Sequence, residues 1–158
     1  MTLSLYDIPL RQIDGSPGRL ADYRGDVLLV VNIASKCDLT PQYVRLESLY
    51  QNKRDTGLGV PGLSANNFNG QEPDSDSEIA NLCLANYNVH FPLFSEISVP
   101  GRRSHPVRVR LTAAIGDGPF RERLKGYGVD SGNPVDGLWN FEKFPALASI
   151  VSRTNAGA

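Results

Sequence analysis

Cys37 and Cys83 are the only two thiols in this 158-residue chain, and the first stands where a thiol becomes a nucleophile. The surrounding stretch, Val27 to Tyr43, reads VLLVVNIASKCDLTPQY. Val27 to Ala34 is almost unbroken aliphatic sequence with one polar member, Asn32, the pattern of a strand buried on both faces. Asn32 in such a strand reads as structural, bonded to backbone nearby. Ser35 to Leu39 reads as a turn, and Thr40-Pro41 as a helix start with Thr as N-cap and Pro at the first helical position. Cys37 is thereby placed at the carboxyl end of a buried strand, just ahead of a helix N-terminus. Ligands collect at that rim in open α/β sheets, and its electropositive field favours a thiolate. Cys83 falls instead on the apolar stripe of a helix, the position of a packed core thiol.

Composition narrows the function classes. A formal charge of -1 carries no signature of a nucleic-acid partner. No apolar run approaches the length of a membrane span, and the start MTLSLYDIPL lacks the basic-then-apolar layout of a secretory leader, so a soluble cytoplasmic protein is expected. Two cysteines are too few for a disulfide scaffold. His90 and His105 lie far apart and far from any Cys-x-x-Cys, so no zinc spacing is recognisable. The length suits one domain over residues 1–158 with a sizeable core.

The elements that must position Cys37 follow from periodicity and turn chemistry. Leu3 to Leu10 alternates as a strand, Asp14-Gly15 turns, and the chain returns as an N-terminal hairpin laid against the sheet. Residues 41–54 form a helix with Tyr43, Leu46, Leu49 and Tyr50 on one side. Gly57 to Leu63 (GLGVPGL) sits where the second parallel strand belongs, although its glycines and Pro61 are poor strand formers. Ser64 to Pro73 is an Asn- and Gly-dense loop. Ser75-x-x-Glu78 is a capping box that opens a second helix, with Ile79, Leu82, Cys83 and Tyr87 as its stripe. Phe91 to Phe94 is extended, His105 to Ala114 a short helix, and Ile115 to Asp136 a glycine-rich insertion with a helical piece at 120–125. Leu138 to Phe144 is strand-like, Ser149 to Ser152 a further candidate strand, and 154–158 a frayed end. The order β-β-α-β-α-(α)-β fits an α/β sandwich around a mostly parallel sheet.

The residues around Cys37 resemble the peroxidatic motif of the glutathione peroxidase family in its cysteine form: NIASKC followed by DLTPQY. Three further blocks resemble that family in order and spacing, NNFNGQEPDS (Asn66 to Ser75), NYNVHFPLF (Asn86 to Phe94) and LWNFEKF (Leu138 to Phe144). The resemblance covers nearly all of Leu5 to Phe144. It implies a thioredoxin-like fold, a central mostly parallel sheet flanked by helices, and thiol reduction of hydrogen peroxide or organic hydroperoxides. It places the reactive residue on Cys37, the family's glutamine on Gln71, and its Trp-Asn pair on Trp139 and Asn140. It implies no prosthetic cofactor, with thioredoxin or glutathione as the reducing partner. In the thioredoxin-using subgroup a resolving cysteine lies in the second helix, and C-x-x-N-Y-x-V-x-F-P matches it, so the resemblance moves Cys83 from core thiol to resolving cysteine.

The chemistry accounts for these residue types. A thiolate attacks the terminal peroxide oxygen, leaving a sulfenic acid and releasing water or an alcohol. The amides of Gln71 and Asn140 and the Trp139 indole N–H are donors suited to sulfur and the departing oxygen. Lys36 adds a neighbouring cation. Departures from the family pattern are specific. Asp38 stands where glycine is usual, bringing a carboxylate beside the thiol and a side chain to a position where φ can be positive. Leu63 to Phe68 reads LSANNF, with Ala65 in place of a cysteine and Asn67 in place of a glutamine. After Phe144 the family continues with strand, turn, strand and helix, whereas this chain runs PALASIVSRTNAGA. A shortened or altered C-terminal part exposes apolar surface unless something else covers it. Monomer and dimer both fit the moderate insertion before Leu138. The alternatives to an antioxidant peroxidase are a peroxide sensor or redox relay using the same disulfide, and a catalytically impaired family member acting as a binding module.

Overall fold

The aliphatic run forms the central strand, and every other element is arranged about it. The computed structural model describes residues 4–66, 70, 72–97, 105–115 and 143–146. In chain order these form β1 (Pro9–Arg11), β2 (Pro17–Arg19), β3 (Val27–Ile33), α1 (Gln42–Lys53), β4 (Leu58–Gly59), β5 (Gly62–Ser64), α2 (Asp76–Tyr87), β6 (Leu93–Phe94), α3 (Pro106–Ile115) and β7 (Lys143–Ala146). β3 pairs in parallel with β4 and β5, β5 pairs in parallel with β6, and β7 lies antiparallel on the other edge of β3. This is the mostly parallel α/β sheet expected, with one antiparallel strand.

GLGVPGL is indeed the second parallel strand. β4 and β5 keep one register against β3, and the ladder is interrupted only around Pro61, which has no N–H to give. Gly57 supplies the left-handed turn before β4, while Gly59 and Gly62 are there for room rather than propensity. A Cβ on Gly59 would lie 2.7 Å from the Leu28 side chain, and one on Gly62 would lie 3.2 Å from both Leu93 and Phe91.

Alternation along β3 divides the core in two. Leu28 and Val30 face the cluster built from the N-terminal segment (Leu5, Ile8, Leu10, Leu20), from Phe94, and from Val107 and Leu111 of α3. Val31 and Ile33 face the cluster with Tyr43 and Leu46 of α1 and Ile79 and Cys83 of α2. Helices therefore cover both faces, which is why the strand carries no polar alternation. At the N-terminus the expected long strand is shorter: Leu5–Asp7 is a 3-10 turn, and only Pro9–Arg11 pairs, antiparallel with Pro17–Arg19. The hairpin turn is closed by the Asp14 carboxylate, which accepts from the Ser16 N–H and hydroxyl at 2.8 and 2.6 Å. A bridge from Gln12 to Phe94 attaches the hairpin to the sheet.

The insertion after Ile115, the segment 138–142 and the tail from 147 lie outside the described residues. β7 begins at Lys143, at the far end of the strand-like LWNFEKF, and continues to Ala146. A groove of about 610 Å³ runs beside it, lined by Leu29, Leu46 and Leu49 with Arg45 and Lys143. The exposure of apolar surface expected from the altered C-terminal part turns on residues from 147 onward, which lie outside the described residues.

α1 is tied to the exit of α2 by a buried carboxylate. Glu47 is 7% exposed and accepts from the backbone N–H of His90 at 2.8 Å and of Phe91 at 3.3 Å, and from the Gln51 side chain at 2.6 Å. The His90 ring lies 3.2 Å away. Burial pushes the Glu47 carboxyl up, but the bonds from Gln51, His90 and Phe91 together outweigh it and hold it below its ordinary value. Because the folded value is lowered, the stability it contributes is complete above the ordinary carboxylate range and is lost as pH falls through the folded value. Glu47→Ala is expected to cost about 3 kcal/mol in urea unfolding at neutral pH, since two backbone donors lose a charged acceptor. The gap between wild type and variant should close as the same titration is repeated towards pH 3.

Candidate functional site

The rim at the carboxyl end of β3 is shaped by one hydroxyl. Thr40 is 4% exposed, and its Oγ1 accepts from the Cys37 N–H at 3.0 Å while donating to the Ala34 carbonyl at 2.9 Å. The Cys37 carbonyl in turn accepts from the Thr40 N–H at 2.9 Å. The expected N-cap role of Thr40 is therefore corrected. Pro41 occupies the cap position of α1 with no side-chain cap bond, and the Thr40 hydroxyl is used to close the turn that carries Cys37. Ser/Thr hydroxyls bond whichever local backbone group the turn leaves unpaired, and here the turn competes successfully with the helix.

Cys37 itself is half-buried against the cluster of α1 and α2. The Leu39 N–H points at its sulfur at 3.4 Å, a backbone donor suited to a thiolate. Asp38 is exposed to solvent, and among the described non-glycine residues only Asn88 has positive φ, so Asp38 replaces the usual glycine without left-handed strain. Ala65, in place of a family cysteine, is 1% exposed in the core cluster on the other face of the sheet.

Two contacts fasten the Cys37 turn to the segment leading into α2. The Ser35 hydroxyl donates to the Glu72 carboxyl, and Lys36 Nζ lies 2.7 Å from Asp74 Oδ1. The Asp74 bond is the main reason that the Lys36 ammonium is held above its ordinary value. Asn66 accepts from the Glu72 N–H at 3.0 Å, closing the loop from inside. Residue 71 falls in this loop, but Gln71, Trp139 and Asn140 all lie outside the described residues, as does Asn67. Glu72 is the residue that sequence reasoning missed: a carboxylate in a polar loop reads as solvated, yet it is 1% exposed.

Cys83 sits in the middle of α2 and is wholly buried, beside Tyr43. Burial pushes its thiol up to about 11, with hydrogen bonding from the Tyr43 hydroxyl working against that and the Glu72 charge adding to it. Its carbonyl accepts from the Val89 N–H at 3.0 Å, beyond the left-handed Asn88 that ends the helix. The capping box seen in the sequence is present at the other end, with Ser75 and Glu78 bonded reciprocally. Both cysteines are free and border one apolar cluster. Among the described residues no group of three or more His, Cys, Asp or Glu is placed to hold a metal ion, and no helix is long and apolar enough to cross a membrane.

The difference in burial has a measurable consequence. In reduced protein at neutral pH, brief treatment with iodoacetamide should label Cys37 at least about tenfold faster than Cys83, because the alkylated species is the thiolate. Peptide mapping reads the ratio, and equal labelling would contradict the buried placement of Cys83.

Comparison with known proteins agrees with this geometry. The family model described as glutathione peroxidase matches residues 5–111. The glutathione peroxidase homolog BsaA of Halalkalibacterium halodurans is 42% identical over 142 residues, covering 90% of this chain and 82% of that protein. The thioredoxin/glutathione peroxidase BtuE of Escherichia coli is 42% identical over 147 residues, covering 89% of this chain and 80% of its own. Among solved structures, the crystal structure of Trgpx in apo form superposes with a TM-score of 0.58 at 29% identity, over 92% of this chain and 79% of that one. With its thioredoxin-like sheet and a cysteine at the rim of β3, this chain belongs to the glutathione peroxidase family.

Proposed function

We propose that the protein is a thiol peroxidase in which Cys37 is the peroxidatic residue and Cys83 the resolving one. The observation that carries this reading is the placement of Cys37, half-buried at the end of β3 with the Leu39 N–H aimed at its sulfur, in a chain of this family. The Cys37 thiolate attacks the terminal oxygen of hydrogen peroxide or an organic hydroperoxide. The O–O bond breaks, sulfur is oxidised to the sulfenic acid, and the departing oxygen takes a proton to leave as water or an alcohol. Gln71, Trp139 and Asn140 are the donors assigned to the sulfur and the departing oxygen, on their match to the family motif.

Cys83 then attacks the Cys37 sulfur. The S–O bond breaks, a Cys37–Cys83 disulfide forms, and the hydroxide lost combines with the thiol proton as water. A disulfide needs Cα atoms within about 7 Å. Cys83 is buried against Tyr43 within a regular helix, so unless the two cysteines already stand within that distance, α2 must partly unwind or shift around Cys83 for it to reach Cys37. Thioredoxin reduces the disulfide by exchange, with glutathione the other reductant of the family. The protein acts in the cytoplasm as one domain, a monomer or dimer, and needs no prosthetic group.

Cys37→Ser should abolish peroxide consumption. Cys83→Ser should keep the first oxidation, seen as a sulfenic acid on Cys37, and lose thioredoxin-driven turnover. Non-reduced mass spectra after one equivalent of peroxide read both. A Cys37 that stays reduced would contradict the peroxidase, and full thioredoxin turnover in Cys83→Ser would contradict the resolving role.

A further inference from the structure

Glu72 is a buried acid for which the reaction above has no use. It is 1% exposed, and the Ser35 hydroxyl donates to one carboxyl oxygen. The other, Oε2, is buried and has no hydrogen-bond partner among the described residues. A buried ionised carboxylate without a full set of donors is costly, so a neutral acid is the economical form here. Burial pushes its carboxyl up to about 8; Ser35 draws it down, Asp74 and Glu96 push it further up, and Lys36 draws it down. Tyr43 of α1 and Cys83 of α2 lie close enough to feel its charge, which, when present, raises both the Tyr43 hydroxyl and the Cys83 thiol. Glu72 thus joins the turn of Cys37, through Ser35, to the surroundings of Cys83.

We propose that Glu72 is a positioning residue for the resolving step: kept neutral, it fastens the Cys37 turn through Ser35 and leaves Cys83 free of a neighbouring negative charge. This rests on reading Cys83 as the resolving cysteine. The step gains or loses no atom through Glu72, which acts only on how readily the Cys83 thiol ionises. When Glu72 ionises, its charge opposes that of a Cys83 thiolate. The rate of disulfide formation should therefore climb with pH and then flatten as Glu72 loses its proton.

Glu72→Gln tests this, because the amide has the shape of the neutral acid, can still accept from Ser35, and does not titrate. Disulfide formation is followed by rapid acid quench and mass spectrometry from pH 6 to pH 10 after a single equivalent of peroxide. Wild type and variant should agree at pH 6. Above pH 8 the variant should be faster, by about threefold or more, and its profile should lack the flattening. A disulfide that forms in both proteins with the same profile overturns the proposal and leaves the resolving role intact. No disulfide in wild type overturns both. Should the variant fail to fold, carbon-13 titration of the Glu72 carboxyl in the wild-type protein decides: a midpoint well above the ordinary range is expected, and an ordinary midpoint overturns the proposal.

Discussion

β3 has no free edge and no free face, and the rest of the structure follows from that. β4 and β5 occupy one edge and β7 the other, while α1 and α2 cover one face and the N-terminal segment with α3 covers the other. A strand enclosed on four sides fixes where it ends, so the turn after Ile33 is delivered to one place at the sheet rim. Cys37 inherits that precision. The Thr40 hydroxyl then converts a fixed strand end into a fixed thiol, by bonding Ala34 on one side of the turn and Cys37 on the other.

The two cysteines are held under opposite conditions. Cys37 has a backbone donor at its sulfur and partial access to solvent. Cys83 is sealed within the core, its thiol raised by burial. Peroxide arriving from solvent can therefore meet Cys37 directly, while Cys83 is screened by the core around it. Local opening is easiest where few buried contacts are lost. The solvent side of α2 meets this condition, since Leu84, Ala85 and Asn86 around Cys83 are all exposed. Glu47 anchors the segment beyond the helix, at His90 and Phe91.

Much of this was legible in the residues. The aliphatic run from Val27, the capping box at Ser75 and the extended Phe91 to Phe94 are local signals, and each maps onto an element seen. What was not legible depends on contacts between distant segments. GLGVPGL looked unlike a strand because the reason for Gly59 and Gly62 is the Leu28, Phe91 and Leu93 side chains pressed against them. Thr40 looked like a helix cap because its competing partners, the Cys37 N–H and Ala34 carbonyl, come together only when the turn forms. Nothing local in the sequence marks Glu72 or Glu47 as buried, and only the fold shows them so. At the site, position alone put Cys37 at the rim of the sheet, where the fold has it; the reactive role of Cys37, the resolving role of Cys83 and the roles of Gln71, Trp139 and Asn140 all rest on the family pattern.

The most direct measurement is amide hydrogen exchange on reduced protein and on protein oxidised with one equivalent of hydrogen peroxide. If Cys37 and Cys83 are the redox pair, the amides around Cys83 in α2 should lose protection on oxidation, while those of β3 keep theirs. Oxidation of Cys37 with the protection of α2 unchanged would contradict it, and would return Cys83 to the role of a packed core thiol.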